Sequence, residues 1–111
     1  MKILITENKR YQLAYKILDD VLEGLSREDT DLNRGKDSVF SNHQVTFFNE
    51  DGEKIMEWQE IKGILYVLQD VIFSLKMFSF NEEELERVVM WWFSDRVRIE
   101  PEYVYFVSDF D

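Results

Sequence analysis

The chain has 111 residues, of which 45% are hydrophobic, with nine Phe, five Tyr, three Trp and no Cys. This length favours one compact domain over residues 1–111, and the apolar content excludes wholesale disorder. The lack of cysteine excludes disulfides, thiol catalysis and cysteine-based metal sites. The net charge of −10, from 23 acidic and 13 basic residues, argues against direct nucleic-acid binding, which usually requires a basic patch.

The first 26 residues predict a short strand over residues 2–5 and then a helix from about 7 to 26. Thr6 or Asn8 suits the N-cap of this helix, and apolar residues follow it at helical spacing. Asp19, Asp20 and Glu23 would then face water. The short apolar run near the N-terminus is typical of neither a signal peptide nor a membrane span, so we expect a cytoplasmic protein without membrane contact.

Residues 27–38 are polar and show no periodicity, which predicts a loop. Asp29, Asp31 and Asn33 have the alternating spacing of a calcium loop. However, Arg34 and Phe40 occupy the positions where such a loop requires Gly and Glu, so no calcium site is predicted.

Residues 44–59 predict a β-hairpin, because Asp51-Gly52 is a strong turn signal between two alternating segments. A two-residue turn would set four cross-strand pairs: Phe48 with Ile55, Phe47 with Met56, Thr46 with Glu57 and Val45 with Trp58. The same turn would place Glu50 opposite Glu53, and a longer loop would relieve that repulsion.

The last half of the chain predicts two helices and a β-rich end. Residues 60–79 have apolar residues at helical spacing, with a buried strand pair over 65–80 as the alternative. Asn81 and Glu84 form a capping box that starts the next helix, and Phe80 can pack on Leu85. After this helix, alternation at 96–100 and at Tyr103–Val107 predicts a terminal hairpin or strand. The chain is therefore expected to be α+β, with about three helices against a small antiparallel sheet.

The helix that begins after Asn81 contains six consecutive apolar residues, Val88 to Phe93. Helical spacing places Val88, Val89 and Trp92 on the core side, and puts Met90 and Trp91 at or beyond its edge. One interpretation is that the helix packs between two layers and buries the whole run. The other is that Trp91, with Met90, is an exposed anchor among acids, since Trp is enriched at binding hot spots.

Catalytic motifs are absent from the sequence. His43 is the single histidine and has no motif around it, and there is no phosphate-binding Gly-rich loop, nucleophile elbow or two-His metal pair. Carboxylate pairs such as Asp19 and Glu23 are more typical of a solvated helix face than of acid–base catalysis. We therefore predict a protein that is not an enzyme and that uses no cofactor or metal.

The opening MKILITENKRYQLAYKILDD resembles the start of small phage accessory proteins, which often begin with a similar MK-I-L-I-T-E segment before a helix. The resemblance covers residues 1–20 and carries no functional residue. It implies a phage origin and a location in the cytoplasm of an infected bacterium. By class analogy it also implies an inhibitor of the anti-CRISPR kind.

The leading hypothesis is a small acidic binding protein that inhibits a host protein handling nucleic acid, such as a CRISPR effector, through a surface that mimics DNA or RNA. The partner would be a host protein with a basic surface. The candidate partner-binding residues are Asp19, Asp20, Glu23, Glu82, Glu83, Glu86, Met90 and Trp91. The alternative is a phage structural or assembly protein that self-associates, for example as a homodimer, through aromatic surface. A third hypothesis, an enzyme using the carboxylates, would require two acids in a deep pocket.

Overall fold

The computed structural model describes residues 2–31, 43–77 and 80–110. Within these ranges the chain forms three helices and five strands: α1 (Lys2–Glu23), β1 (Ser26–Asp31), β2 (His43–Phe48), β3 (Lys54–Gln59), β4 (Ile64–Leu68), α2 (Gln69–Lys76), α3 (Glu82–Val97) and β5 (Tyr103–Val107). The helices and the sheet share one hydrophobic core. The predicted α+β class is therefore confirmed.

The five strands form one sheet in the order β1-β2-β3-β4-β5. The first three pairings are antiparallel, whereas β4 and β5 are parallel. The expected antiparallel sheet is thus a mixed one. Parallel pairing requires a crossover connection of roughly a dozen or more residues, and α2 and α3 between β4 and β5 provide it.

The predicted hairpin is confirmed in β2 and β3, where Val45, Thr46 and Phe47 pair with Trp58, Glu57 and Met56. The fourth pair is wrong, because an irregularity after Phe47 places Phe48 opposite Lys54 instead of Ile55.

The two-residue turn at Asp51-Gly52 is wrong, because the Asn49 N–H donates to the Glu53 carbonyl at 2.9 Å and the loop between them is longer. The Gly52 N–H donates to the Asn49 carbonyl at 3.0 Å, and Gly52 has a φ of 80°. The Asn49 side chain also accepts from the backbone N–H groups of Asp51 and Glu53. This is a turn followed by a left-handed residue, the common form of a three-residue hairpin loop.

Two predictions in the first third of the chain are wrong. Residues 2–5 belong to α1, which begins at Lys2 and ends at Glu23, so the predicted strand does not form and the helix ends three residues early. Residues 27–31 lie in β1, which pairs with β2, and are not a loop. A polar strand can form at an edge because its partner supplies the backbone hydrogen bonds, whatever its side-chain pattern. Asp29 and Asp31 lie in this strand, and the rest of the predicted loop lies outside the described residues.

The predicted helix over 60–79 is also wrong in its first half, which forms a turn and β4, while α2 covers only Gln69–Lys76. The chain turns back along β3 through Gly63, whose φ of 68° favours glycine. The alternative of two strands over 65–80 is right for β4 and wrong for α2. A continuous apolar run satisfies both periodicities, so its spacing alone does not separate helix from strand.

The start of α3 is as predicted. The Glu84 N–H donates to Asn81 Oδ1 at 2.8 Å, and the Asn81 N–H donates to Glu84 Oε1 at 3.1 Å. Phe80 and Leu85 are both buried in the core. After α3, residues 98–102 form no strand, so the terminal β structure is the single strand β5 and not a hairpin.

Candidate functional site

The apolar run of α3 is accommodated because this helix lies between two layers. Trp92 reaches α1, where its indole N–H donates to Asp19, while Phe93 packs edge-to-face on Phe47 of β2, with ring centroids 6.0 Å apart. Both side chains are fully buried, as are Val88 and Val89. Four of the six apolar residues therefore belong to the core.

The other two residues of the run, Met90 and Trp91, lie at the edge of the buried face, as predicted. Met90 is half-buried, and Trp91 is 48% exposed. The Trp91 ring lies 5.9 Å from Tyr11 of α1, which in turn lies 5.9 Å from Phe80. Trp91 is therefore the exposed end of an aromatic cluster between α1 and α3.

Asp19 differs from its expected role as a free acidic residue. Its Oδ1 accepts from Trp92 Nε1 at 2.8 Å and from Arg96 Nε at 2.9 Å. The hydrogen bond from Arg96, with a further one from Trp92, holds the pKa of Asp19 below its ordinary value. Asp19 thus joins α1 to α3, and its charge is already paired inside the protein.

The remaining acids of the hypothesis fall into two separate groups. Arg10 of α1 contacts Glu84 near the start of α3, and Asp19 contacts Arg96 near its end, so the two helices run side by side in the same direction. The rise of an α-helix puts about 18 Å between the levels of Glu84 and Arg96. Glu82, Glu83 and Glu86 lie at the first level, whereas Asp20 and Glu23 lie at the second. The acids do not form a single row.

A third acidic group lies in a depression that the sequence analysis did not identify. Four carboxylates line it, Glu50, Asp51 and Glu53 from the β2–β3 loop and Asp70 from the first turn of α2. Its volume is about 490 Å³, and its apolar lining includes Ile55, Leu68 and Val71. These four carboxylates and three apolar residues together form the acidic depression.

The end of α1 borders the acidic depression, since Val21, Gly24 and Leu25 also line it. Glu23 is exposed and directly precedes Gly24, but neither Glu23 nor Asp20 lines the depression. Within the described residues, none of the four carboxylates in the depression forms a salt bridge. The sequence showed acids clustered at 50–60, but only the fold brings Asp70 to them.

A metal-binding cluster is not found in the part of the chain that the structure describes. No group of three or more His, Asp or Glu side chains there is placed to hold a metal ion. His43, at the start of β2, has its Nε2 3.2 Å from Asp29 Oδ2 and is partly exposed. Asp29 is also paired with Arg27 at 2.7 Å. This small network lies on the β1 side of the sheet and has no nucleophile in it.

None of the helices within the described ranges is both long and apolar enough to cross a membrane. Comparisons of the chain with protein-family models, with curated proteins and with solved structures found no match.

Proposed function

We propose that this protein is a non-enzymatic binding protein that inhibits a nucleic-acid-handling host protein by occupying its basic surface. The observation that carries the proposal is the acidic depression, where four carboxylates that form no salt bridge within the described residues line the same site as Ile55, Leu68 and Val71. Carboxylates can compete with phosphates for Lys and Arg. The phage-like opening supports a host defence protein, such as a CRISPR effector, as the class of partner.

The lining of the depression suits the side chains of Lys and Arg in particular. Their aliphatic stems pack on apolar surface while their charged heads reach carboxylates. Ile55, Leu68 and Val71 would take the stems, and Glu50 or Asp70 the heads. The net charge of −10 would also accelerate encounter with a basic partner, and this acceleration falls with salt.

The test compares two variants that lose the same charge at different places. The first removes acids from the depression by Glu50→Gln, Asp51→Ser and Asp70→Asn. The second removes Glu82, Glu83 and Glu86 by changing each to Gln. Both variants move the net charge from −10 to −7. The first loses one acid from the first turn of α2 and the second loses two from the first turn of α3, so thermal unfolding of both variants would be measured alongside capture to separate lost binding from lost folding.

Wild type and both variants would be immobilised and used to capture partners from a bacterial lysate, at low salt and at about 0.5 M salt, where exposed charge pairs are strongly screened. We expect wild type and the second variant to capture a nucleic-acid-binding protein that salt and added DNA or RNA release. The first variant should lose it. Equal capture by all three proteins would refute a role for the acidic depression, and selective loss in the second variant would move the site to the start of α3.

A further inference from the structure

We propose that two copies of this chain associate through the free edge of β5, forming a two-fold symmetric dimer with one continuous sheet. This inference does not depend on the proposed function. β5 is the last strand of the sheet, and within the described residues no strand pairs with its second edge. An unpaired edge presents backbone N–H and C=O groups that another strand can bind.

The two edges of the sheet differ in how well they resist such pairing. β1, at the opposite edge, has the sequence SREDTD, in which four of the six residues are charged. Charges on an edge strand disfavour addition of another strand. β5 has the sequence YVYFV and carries no charge. The β5 edge is therefore the one that is open to pairing.

Exposed aromatic side chains lie next to this edge. Tyr103 and Tyr105 are 59% and 52% exposed, and they alternate with the buried Val104. They therefore point to the sheet face opposite the core. Tyr105 stacks on Tyr66 of β4, with ring centroids 6.2 Å apart and an interplanar angle of 29°. A strand added to β5 would extend this tyrosine row and bury part of it.

A second copy of β5 is the occupant that matches this edge. In an antiparallel pairing centred on Tyr105, that residue lies opposite the partner subunit's Tyr105, and Tyr103 lies opposite the partner subunit's Val107. Glu102, at the end of the strand, meets the partner subunit's Ser108, so no like charges oppose each other. A basic peptide, by contrast, would find no carboxylate along β5. The match is self-complementary, as a two-fold interface requires.

The size of the edge predicts a weak, reversible dimer. A fully buried aromatic side chain covers roughly 150–250 Å², and Tyr103 and Tyr105 are only about half exposed. With the backbone and neighbouring atoms, each copy would bury on the order of 300–400 Å², well below the roughly 800 Å² per partner of a stable interface. The copies also repel each other through their net charge. Added salt should therefore increase dimerisation, because it screens the repulsion and strengthens apolar burial.

Sedimentation of the full chain from about 10 µM to about 1 mM, a range suited to a weak interface, would test the dimer. We expect wild type to form a dimer that salt strengthens. Tyr105→Lys should remain monomeric, since it places two like charges on the two-fold axis. The control is Phe73→Lys on α2, which is 68% exposed and undergoes the same charge change away from β5. It should behave like wild type.

Cross-linking tests the register independently. The chain has no cysteine, so an introduced thiol is the only one present. In the proposed register Tyr105→Cys brings two Cβ atoms to roughly 5 Å, close to disulfide range. Tyr103→Cys would leave its two thiols four residues apart along the strands, about 13 Å. We expect rapid disulfide formation by Tyr105→Cys and slow formation by both Tyr103→Cys and Phe73→Cys.

Four results would overturn the proposal: a monomer throughout at high salt, a dimer that salt dissociates, a dimer insensitive to Tyr105→Lys, or equal cross-linking at all three positions. If the protein stays monomeric but Tyr105→Lys abolishes partner capture from lysate, the edge takes a foreign strand and the second-copy occupant is wrong. Because the capture variants of the acidic depression leave β5 unchanged, failure of one proposal is distinguishable from failure of the other.

Discussion

Replacing Asp19 by Ala should destabilise the protein, because this carboxylate is the acceptor for a buried indole. Trp92 has no exposed surface, and its Nε1 donates to Asp19 Oδ1 at 2.8 Å. Without the carboxylate, the indole N–H loses its partner. If Asp19 were instead a free acid for a binding partner, its removal would leave stability unchanged.

The magnitude follows from the burial of the two partners. A buried donor left without an acceptor costs about 1–3 kcal/mol. The Asp19 side chain is 40% exposed, so water can enter beside the indole and replace part of the lost bond. We therefore expect Asp19→Ala to lower the free energy of unfolding by about 1–2 kcal/mol, which corresponds to a melting temperature lower by roughly 4–8 °C for a domain of this size. The exposed ion pair with Arg96 adds little to this effect.

Denaturant and thermal unfolding of matched variants would measure this effect. Asp19→Asn keeps an oxygen acceptor for the indole and should lose less stability than Asp19→Ala. Asp20→Ala removes the neighbouring exposed acid and should stay within about 0.5 kcal/mol of wild type. An Asp19→Ala variant no less stable than Asp20→Ala would refute the structural role of Asp19 and return it to the set of free acids.

The stability lost by Asp19→Ala should also depend on pH. The pKa of Asp19 is lowered in the folded protein, first by its hydrogen bond from Arg96. A lowered folded pKa gives stability that is fully present above the unfolded pKa and is lost as pH falls through the folded one. The stability difference between wild type and Asp19→Ala should therefore be constant near neutral pH and shrink in acid. A difference that grows in acid would contradict this assignment.

Three further measurements test other parts of the structure. Asn81→Ala should lower the free energy of unfolding by about 1 kcal/mol through loss of the α3 cap, whereas Asn81→Ser, which keeps a capping oxygen, should retain most of the wild-type stability. Equal losses of stability by the two variants in a denaturant titration would contradict the capping role. Phe93→Ala should lower the free energy of unfolding by about 3–5 kcal/mol because Phe93 is fully buried, whereas Phe73→Ala, at an exposed side chain, should leave it nearly unchanged. Similar losses of stability in the two variants would contradict the difference in burial. Burial and the hydrogen bond to Asp95 raise the pKa of Tyr15 to about 12. The stabilising contribution of Tyr15 is therefore present below its ordinary pKa of 10.0 and is lost as pH rises toward about 12. An ultraviolet titration in which Tyr15→Phe removes an early-titrating tyrosine would contradict this raised pKa.

Local sequence signals determined the start of α3 and the β2–β3 hairpin. The capping box of Asn81 and Glu84 acts over three residues, and the Gly52 turn brings neighbouring segments together over a short loop. The positions of Met90 and Trp91 at the edge of α3 also followed from helical spacing alone. These predictions succeeded because each depends on interactions between residues that are close in the chain.

Tertiary structure decided the elements for which the chain had no local preference. β1 is a strand because β2 pairs with it, although its side chains are polar. The apolar run from Ile64 onward divides into β4 and α2 because β3 offers hydrogen bonds to its first part only. The parallel pairing of β5 with β4 likewise depends on how the helical crossover packs against the sheet, which no local signal specifies.

The candidate site was likewise predictable from the sequence only in part. The sequence determined an acidic chain with no catalytic motif, and it placed acids on the water-facing sides of helices. Only the packing of α1 against α3 showed that Asp19 is already paired with Arg96, and only the fold brought Asp70 from α2 to the acids of the β2–β3 loop. A charge pattern along the chain specifies which side chains are polar, but their partners depend on distances between residues far apart in sequence, and those distances are set by the packing of the core.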